Sequence, residues 1–249
     1  MTALTLEPIA HIRSCYPERF GIPRQPGLVP AAIGAIVLPN NADNQLAMRG
    51  IEAFSHLWVI FGFHDLAYGD RFKPLVSPPR LGGKQQVGVY ASRSPNRPNP
   101  LGLSAVKLDR VELTPAEIQL HISGLDLLDG TPVFDIKPYV PYSDSIPGAE
   151  AAWATPIGEA IAVEWEPAPI ARLENLWATG AIADWQTARD LIAQTIGQDP
   201  RPAHERGKDG QPGQQWNLRV AGWNVWWRVA GGMAWVVRVA PWPDKSFAH

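Results

Sequence analysis

Cysteine is almost absent: Cys15 is the one thiol in 249 residues. That excludes an intramolecular disulfide framework and, with no CxxC pair, the familiar zinc modules. An excess of one charge is also missing. The 22 Lys and Arg face 24 Asp and Glu, for a formal net charge of −2. The surface as a whole is therefore not a cationic sponge for nucleic acid, and any RNA contact has to come from a local patch or a dimer groove. No apolar run approaches the ~20 residues needed to cross a bilayer. The N-terminus lacks a charged stretch followed by an apolar core, so no signal peptide is expected and a cytoplasmic location follows. Several signatures are missing too. Gly83-Lys84 is followed by Gln85 where a phosphate loop needs a hydroxyl. There is no G-x-G-x-x-G, no G-x-S-x-G elbow and no H-E-x-x-H. His56 and His64 have no third ligand beside them in the sequence, so no metal is expected.

What the chain does have is proline (25) and glycine (22) in quantities that favour short strands joined by stiff turns. Apolar alternation and buried runs predict strands at 4–13, 33–38, 57–63, 105–112, 117–123 and 133–137. An amphipathic helix is expected at 44–54, capped by Asp43. The spacings leave no room for parallel crossovers, so residues 1–145 read as a mainly antiparallel β-barrel. Residues 146–159 are rich in Pro, Ala and Gly and read as a linker. Residues 160–249 read as a smaller α+β unit, with a strand at 160–166 and helices at 169–179 and 183–196. A meander follows at 215–220, 224–229 and 233–239, turning at Ala221-Gly222 and Gly231-Gly232. Five of the 11 tryptophans fall in this meander (Trp216, Trp223, Trp226, Trp227, Trp235). Core packing is their default role, with base stacking as the alternative.

The chemistry concentrates in residues 89–106, V-Y-A-S-R-S-P-N-R-P-N-P-L-G-L-S-A-V. Pro95, Pro98 and Pro100 make the middle of it rigid and non-helical. Arg93 and Arg97 ride on that stiff backbone, the kind of loop on which binding residues concentrate. Residues 23–27, 64–65, 93–100 and 126–129 all lie at expected strand ends. Converging at one rim, they would form a cleft of carboxylates and guanidiniums suited to a zwitterionic ligand. The alternative is that Asp126 and Asp129 are turn residues with arginines pairing them.

Longer motifs carry a resemblance. These are I-R-S (12–14), P-R-Q-P-G (23–27), R-G-I-E-A-F-S-H-L-W (49–58), P-P-R-L-G-G (78–83), S-R-S-P-N-R-P-N-P-L-G-L-S (92–104) and L-D-L-L-D-G-T-P-V-F-D-I-K-P-Y-V-P-Y-S-D-S (125–145). Together with D-P-R-P (199–202) and W-N-V-W-W-R-V (223–229), they resemble the TrmO (TsaA-like, VirR/YaeB) tRNA methyltransferases. The resemblance implies a non-Rossmann β-barrel that binds S-adenosyl-L-methionine and acts as a homodimer. It implies methylation of N6 of N6-threonylcarbamoyladenosine at position 37, beside the anticodon of threonine tRNA. The matching cofactor stretches are Gln25, Pro26, Gly27, His64, Asp65, Arg93, Leu103, Asp126, Leu127, Leu128 and Asp129, with Asp65 a departure from the glutamine common there. Asn99 and Tyr142 lie on matching loops and could reach the substrate base. Asp135, His64 and Tyr142 are the general-base candidates, and Asp135 is equally readable as an ion-pair partner of Lys137. Arg49, Arg80, Arg97, Arg201 and Arg228 are candidate contacts to the tRNA anticodon stem-loop. The competing reading is a non-catalytic RNA- or nucleotide-binding barrel.

Overall fold

The computed structural model describes residues 5–65, 72–154, 160–202, 205–206 and 213–242. In chain order the first part holds β1 (Ala10–Ser14), β2 (Ile33–Pro39), helix α1 (Ala42–Ala47) and β3 (His56–Gly62). Two-residue strands β4 (Leu75–Val76) and β5 (Val87–Gly88) follow, then β6 (Leu101–Leu113), β7 (Glu117–Ser123), β8 (Pro132–Pro138) and the single turn α2 (Pro141–Asp144). Six strands form a closed barrel in the order β1-β2-β7-β6-β3-β8, and the six barrel pairings are antiparallel. Closure depends on β6, which serves two neighbours in succession: residues 101–107 pair with β3 and residues 107–113 with β7. Alternation decides what fills the interior. Ile12, Ile36, Leu57, Ile118, Leu120 and Ile122 are almost wholly buried, each worth about 1.5–3 kcal/mol of apolar burial.

Two expected elements are corrected. The first strand starts at Ala10, not residue 4. The helix at 44–54 is only α1, because Gly50 at φ +86° ends the turn and a separate 3-10 turn, Ile51–Ala53, follows. Its cap is Asn41, whose side chain accepts from the Asn44 N–H, and not Asp43. Leu46 and Phe54, the supposed apolar face, stand exposed. Residues 155–159 of the expected linker lie outside the described residues.

The second part holds β9 (Val163–Trp165), α3 (Pro167–Ala178), α4 (Trp185–Gly197), β10 (Trp216–Val220), β11 (Trp223–Ala230) and β12 (Met233–Pro241). The sheet order is β10-β11-β12-β9, with β9 parallel to β12. β11 alternates without a break, burying Trp223, Val225, Trp227 and Val229. These join Leu173 of α3 and Leu191, Ile192 and Ile196 of α4 in the core. Gly231 and Gly232 have φ of +62° and +77°, the double positive φ of a type I′ hairpin. The two parts share one apolar cluster. The Ala221 N–H donates to the Cys15 carbonyl at 2.7 Å, and the Tyr16 hydroxyl meets Thr195 Oγ1 at 3.3 Å. Cys15 is fully buried there, and burial pushes its thiol up to about 12, so it is an inert packing group.

Candidate active site

Barrel closure sorts the connections into two ends. β1, β3 and β7 finish, and β2, β6 and β8 begin, at one rim. Loops 15–32 and 124–131 and the described parts of the 63–100 connection (63–65 and 72–100) therefore share that rim. The 40–55 connection, the 114–116 turn and the chain beyond Pro138 fall at the other.

The rim loops are bonded to one another. The Gly27 N–H donates to the Gly124 carbonyl at 2.8 Å. A Cβ on Gly124 would sit 3.4 Å from the Gly27 Cα, so the two backbones touch where neither carries a side chain. The Arg93 guanidinium donates to Gln25 Oε1 across these loops. Asp126 accepts from Ser104 Oγ at 2.7 Å, a buried hydroxyl on the inner face of β6. Burial raises the Asp126 carboxyl to about 6, and the Ser104 bond and the Arg93 charge offset that only in part.

Asp129 behaves differently. Its Oδ1 accepts the Ser14 N–H at 2.8 Å, and its own N–H donates to the Tyr16 carbonyl at 2.9 Å. Ser14 Oγ donates to the Leu127 carbonyl at 2.6 Å. These bonds anchor the 124–131 turn to the end of β1. Of the two readings given to the aspartates, the turn role describes Asp129, whereas Asp126 stands within the field of Arg93. His64 lies exposed just beyond β3, its Nε2 3.9 Å from where a Cβ on Gly130 would be. Pro26 and Leu128 are half-buried on the same loops. Asp65 faces outward in a half-exposed ion pair with Arg19 at 3.2 Å.

Other expected residues fall elsewhere. Leu127 packs its side chain into the core at 1% exposure, so only its backbone is available at the rim. Leu103 points out of the barrel, because Ser104, Val106 and Leu108 take the inward positions of β6. On that outer wall it pairs with Ile60, which on its other side pairs with Asp135. Asp135 is an ion-pair partner of Lys137 at 2.8 Å, as the second reading of it held. Tyr142 in α2 and Arg49 after α1 lie at the opposite rim, both exposed. Asn99 is at the site rim, exposed just before β6.

The arginines divide as well. The Arg97 guanidinium donates to the carbonyls of Ser92 at 2.8 Å, Val89 at 3.3 Å and Ser94 at 3.5 Å. It is a strut inside its own loop, not a free contact for RNA. Arg201 is 4% exposed, ion-paired to Asp199 at 2.6 Å and stacked over Trp216, out of reach of a phosphate. Arg228 pairs with Glu166 at 3.3 Å. The side chain of Arg80 lies outside the described residues. Sequence reasoning missed Ser104 as the partner of Asp126. Its signal was a hydroxyl at an inward position of an alternating strand.

Comparison with known proteins places these features in context. The profile described as the tRNA-methyltransferase O N-terminal domain matches residues 11–145, and the TrmO C-terminal domain matches residues 158–242. A tRNA (adenine(37)-N6)-methyltransferase of Escherichia coli is 42% identical over 229 residues, covering 92% of this chain and 94% of that protein. A Pseudomonas aeruginosa protein, 42% identical over 223 residues, covers 90% of this chain and 91% of its own; its provisional name describes an S-adenosylmethionine-dependent methyltransferase, RcsF. The crystal structure of TrmO from P. aeruginosa superimposes with a TM-score of 0.76 at 36% identity, covering 96% of this chain and 99% of that one.

Proposed function

The chain belongs to the tRNA-methyltransferase O family, and from that premise we propose that it methylates N6 of N6-threonylcarbamoyladenosine at position 37 of threonine tRNA. It is an S-adenosylmethionine-dependent methyltransferase that acts on N6 of tRNA adenosine 37. The threonylcarbamoyl group, the threonine tRNA and the residue roles below are the proposed part, with a cytoplasmic homodimer. Residues 1–145 act as the catalytic unit, 146–159 as the linker and 160–249 as the accessory unit.

The rim fits the cofactor. Its methionine end carries an ammonium and a carboxylate, and the rim offers a carboxylate, Asp126, within the field of a guanidinium, Arg93. Asp126 would face the ammonium and Arg93 the carboxylate, each by a charge-assisted hydrogen bond. Gln25 holds Arg93 in place, and Ser104 holds Asp126. Gly27 has open space where a Cβ would stand, so a ligand can approach its backbone closely. When bound, the cofactor supplies a methyl group on a sulfonium, already an activated leaving group. The chain's own task is then alignment and exclusion of water, which a proline-stiffened loop performs at little entropic cost.

A ureido N6 is a weak nucleophile until its proton leaves. Of the three candidate bases, His64 is the one on this rim, and we assign it uptake of the N6 proton. Asn99, exposed at the same rim, positions the base. The observation that carries the reading is that the Arg93–Gln25 and Asp126–Ser104 pairs belong to one barrel end. Calorimetric titration with S-adenosylmethionine tests it: Arg93→Ala and Asp126→Asn should each weaken binding. Unchanged affinity in both would move the site elsewhere. No binding by the wild type would favour the non-catalytic RNA- or nucleotide-binding barrel.

A further inference from the structure

Resting on the assignment of His64 above, we propose that Arg19 is a positioning residue for methyl transfer. It fixes the short segment that carries His64, and its neighbour Glu18 ties that segment to the C-terminal unit. The need for such a tether is visible at the end of β3. The last main-chain bond along its continuation runs from the Phe63 N–H to the Pro100 carbonyl at 2.8 Å. Among the described residues, no main-chain hydrogen bond holds His64 or Asp65. A base must stand within hydrogen-bond reach of the proton it removes, and a shift of about 1 Å can cost about 100-fold in rate. A base on an unpaired strand extension therefore needs a side chain to hold its backbone.

Arg19 supplies that hold. Its Nε lies 3.2 Å from Asp65 Oδ2, and its Nη1 donates to the Asp65 carbonyl at 3.3 Å. One guanidinium thus grips both the side chain and the main chain of the residue after His64. The planar fork of arginine suits this double grip, and the single ammonium of lysine does not. Both partners are about half exposed, so the ion pair on its own is a weak link.

What stiffens the link is the anchoring of Arg19 on both sides. Glu18 Oε1 accepts the Arg219 N–H at 3.1 Å, and Glu18 Oε2 accepts Arg219 Nη1 at 3.4 Å. Two residues past Arg19, Gly21 has φ +98°, and a Cβ there would stand 3.5 Å from Thr195 Cγ2 on α4. The backbone of Arg19 is therefore held between β10 and α4. Through it, the C-terminal unit sets where residues 64–65 stand at the barrel rim.

The test is a double-mutant cycle on steady-state methylation of tRNA by the whole enzyme. Arg19→Ala should lower kcat about tenfold. The KM for tRNA and the S-adenosylmethionine affinity should stay as in the wild type, because the role of Arg19 is to place His64. In a His64→Ala background the same substitution should cost less than about twofold, since the residue it positions is gone. Arg19→Lys, which keeps the charge and one of the two bonds, should recover most of the lost kcat. The control is Arg110→Ala toward the opposite rim, which breaks a comparably exposed pair with Glu112 and should leave kcat in place. Arg19→Ala with wild-type kcat, beside an impaired His64→Ala, overturns the proposal while the base assignment stands. So do losses that multiply in the double variant, which would make Arg19 independent of His64. A defect in KM alone also overturns it, by making Arg19 an RNA contact. A His64→Ala enzyme with wild-type kcat would instead sink the base assignment, and a wild type that methylates no tRNA the functional reading, both distinct outcomes.

Discussion

Asp126→Asn is expected to make the protein more stable and less active. The carboxyl is raised from 3.8 to about 6, chiefly by burial. Across that interval the folded state binds more protons than the unfolded one. Stability therefore declines as pH rises from about 4 to 6 and levels off above. The difference of about two pH units, at about 1.4 kcal/mol each, sets a ceiling of about 3 kcal/mol on the cost of holding this charge at pH 7. Asparagine keeps the size and an acceptor for Ser104 Oγ, and it removes the buried charge. For a chain of this size, about 3 kcal/mol corresponds to a rise in Tm of roughly 6–12 °C. Calorimetric melting of both proteins from pH 4 to 8 gives the answer. The curves should start together at pH 4, diverge through pH 6 and then run parallel. A gap that is the same at pH 4 and pH 7, or an asparagine variant that is less stable throughout, refutes the reasoning. In the same variant, S-adenosylmethionine affinity should fall roughly 10–100-fold through loss of a charged hydrogen bond. Stability given up at a functional carboxylate is a familiar trade.

Three further outcomes follow from the same geometry. Wild-type affinity for S-adenosylmethionine should drop about tenfold per pH unit below about pH 6, as protonation of Asp126 competes with the ammonium; titration calorimetry across pH 5–8 checks this, and a flat profile counts against the contact. Arg97→Ala should weaken cofactor binding and tRNA turnover together, because three carbonyls of the Arg93 loop lose their shared donor; faster limited proteolysis at residues 89–97 would report the loosening, and a defect confined to tRNA would restore Arg97 as an RNA contact. Gly34→Ala should cost about 1–3 kcal/mol, since its Cβ would lie 2.4 Å from the Arg13 carbonyl oxygen in the neighbouring strand; chemical denaturation measures it, and a neutral result would show that β1 and β2 can separate there.

Local physics made part of this legible in advance. Strands β2, β3, β7 and β8 are short apolar or alternating runs between turn residues, and the structure has them within a residue or two of the expected positions. The hairpin glycines 231–232 announced themselves in the same way. The helix expected at 44–54 had a real apolar period, but Gly50 broke it and no surface covered Leu46. In the site, residue type was a good guide and orientation was not. Leu103 and Ser104 are neighbours, yet the inward position went to the hydroxyl, and only the barrel's closure decides which side faces in. Polar pairing was hidden for a similar reason. Arg228 meets Glu166, Arg93 meets Gln25 and Asp126 meets Ser104 across long stretches of chain, which periodicity does not register. Arg97 was hidden differently, because its partners are carbonyls of its own loop.

The central claim is methyl transfer to N6 of threonylcarbamoyladenosine at position 37. Mass spectrometry of nucleosides from threonine tRNA, incubated with the purified protein and S-adenosylmethionine, tests it directly. A mass gain of one methyl group should appear on the threonylcarbamoyladenosine nucleoside, and tRNA lacking the threonylcarbamoyl group should stay unmodified. Equal methylation of both tRNAs, or none of either, would contradict the account.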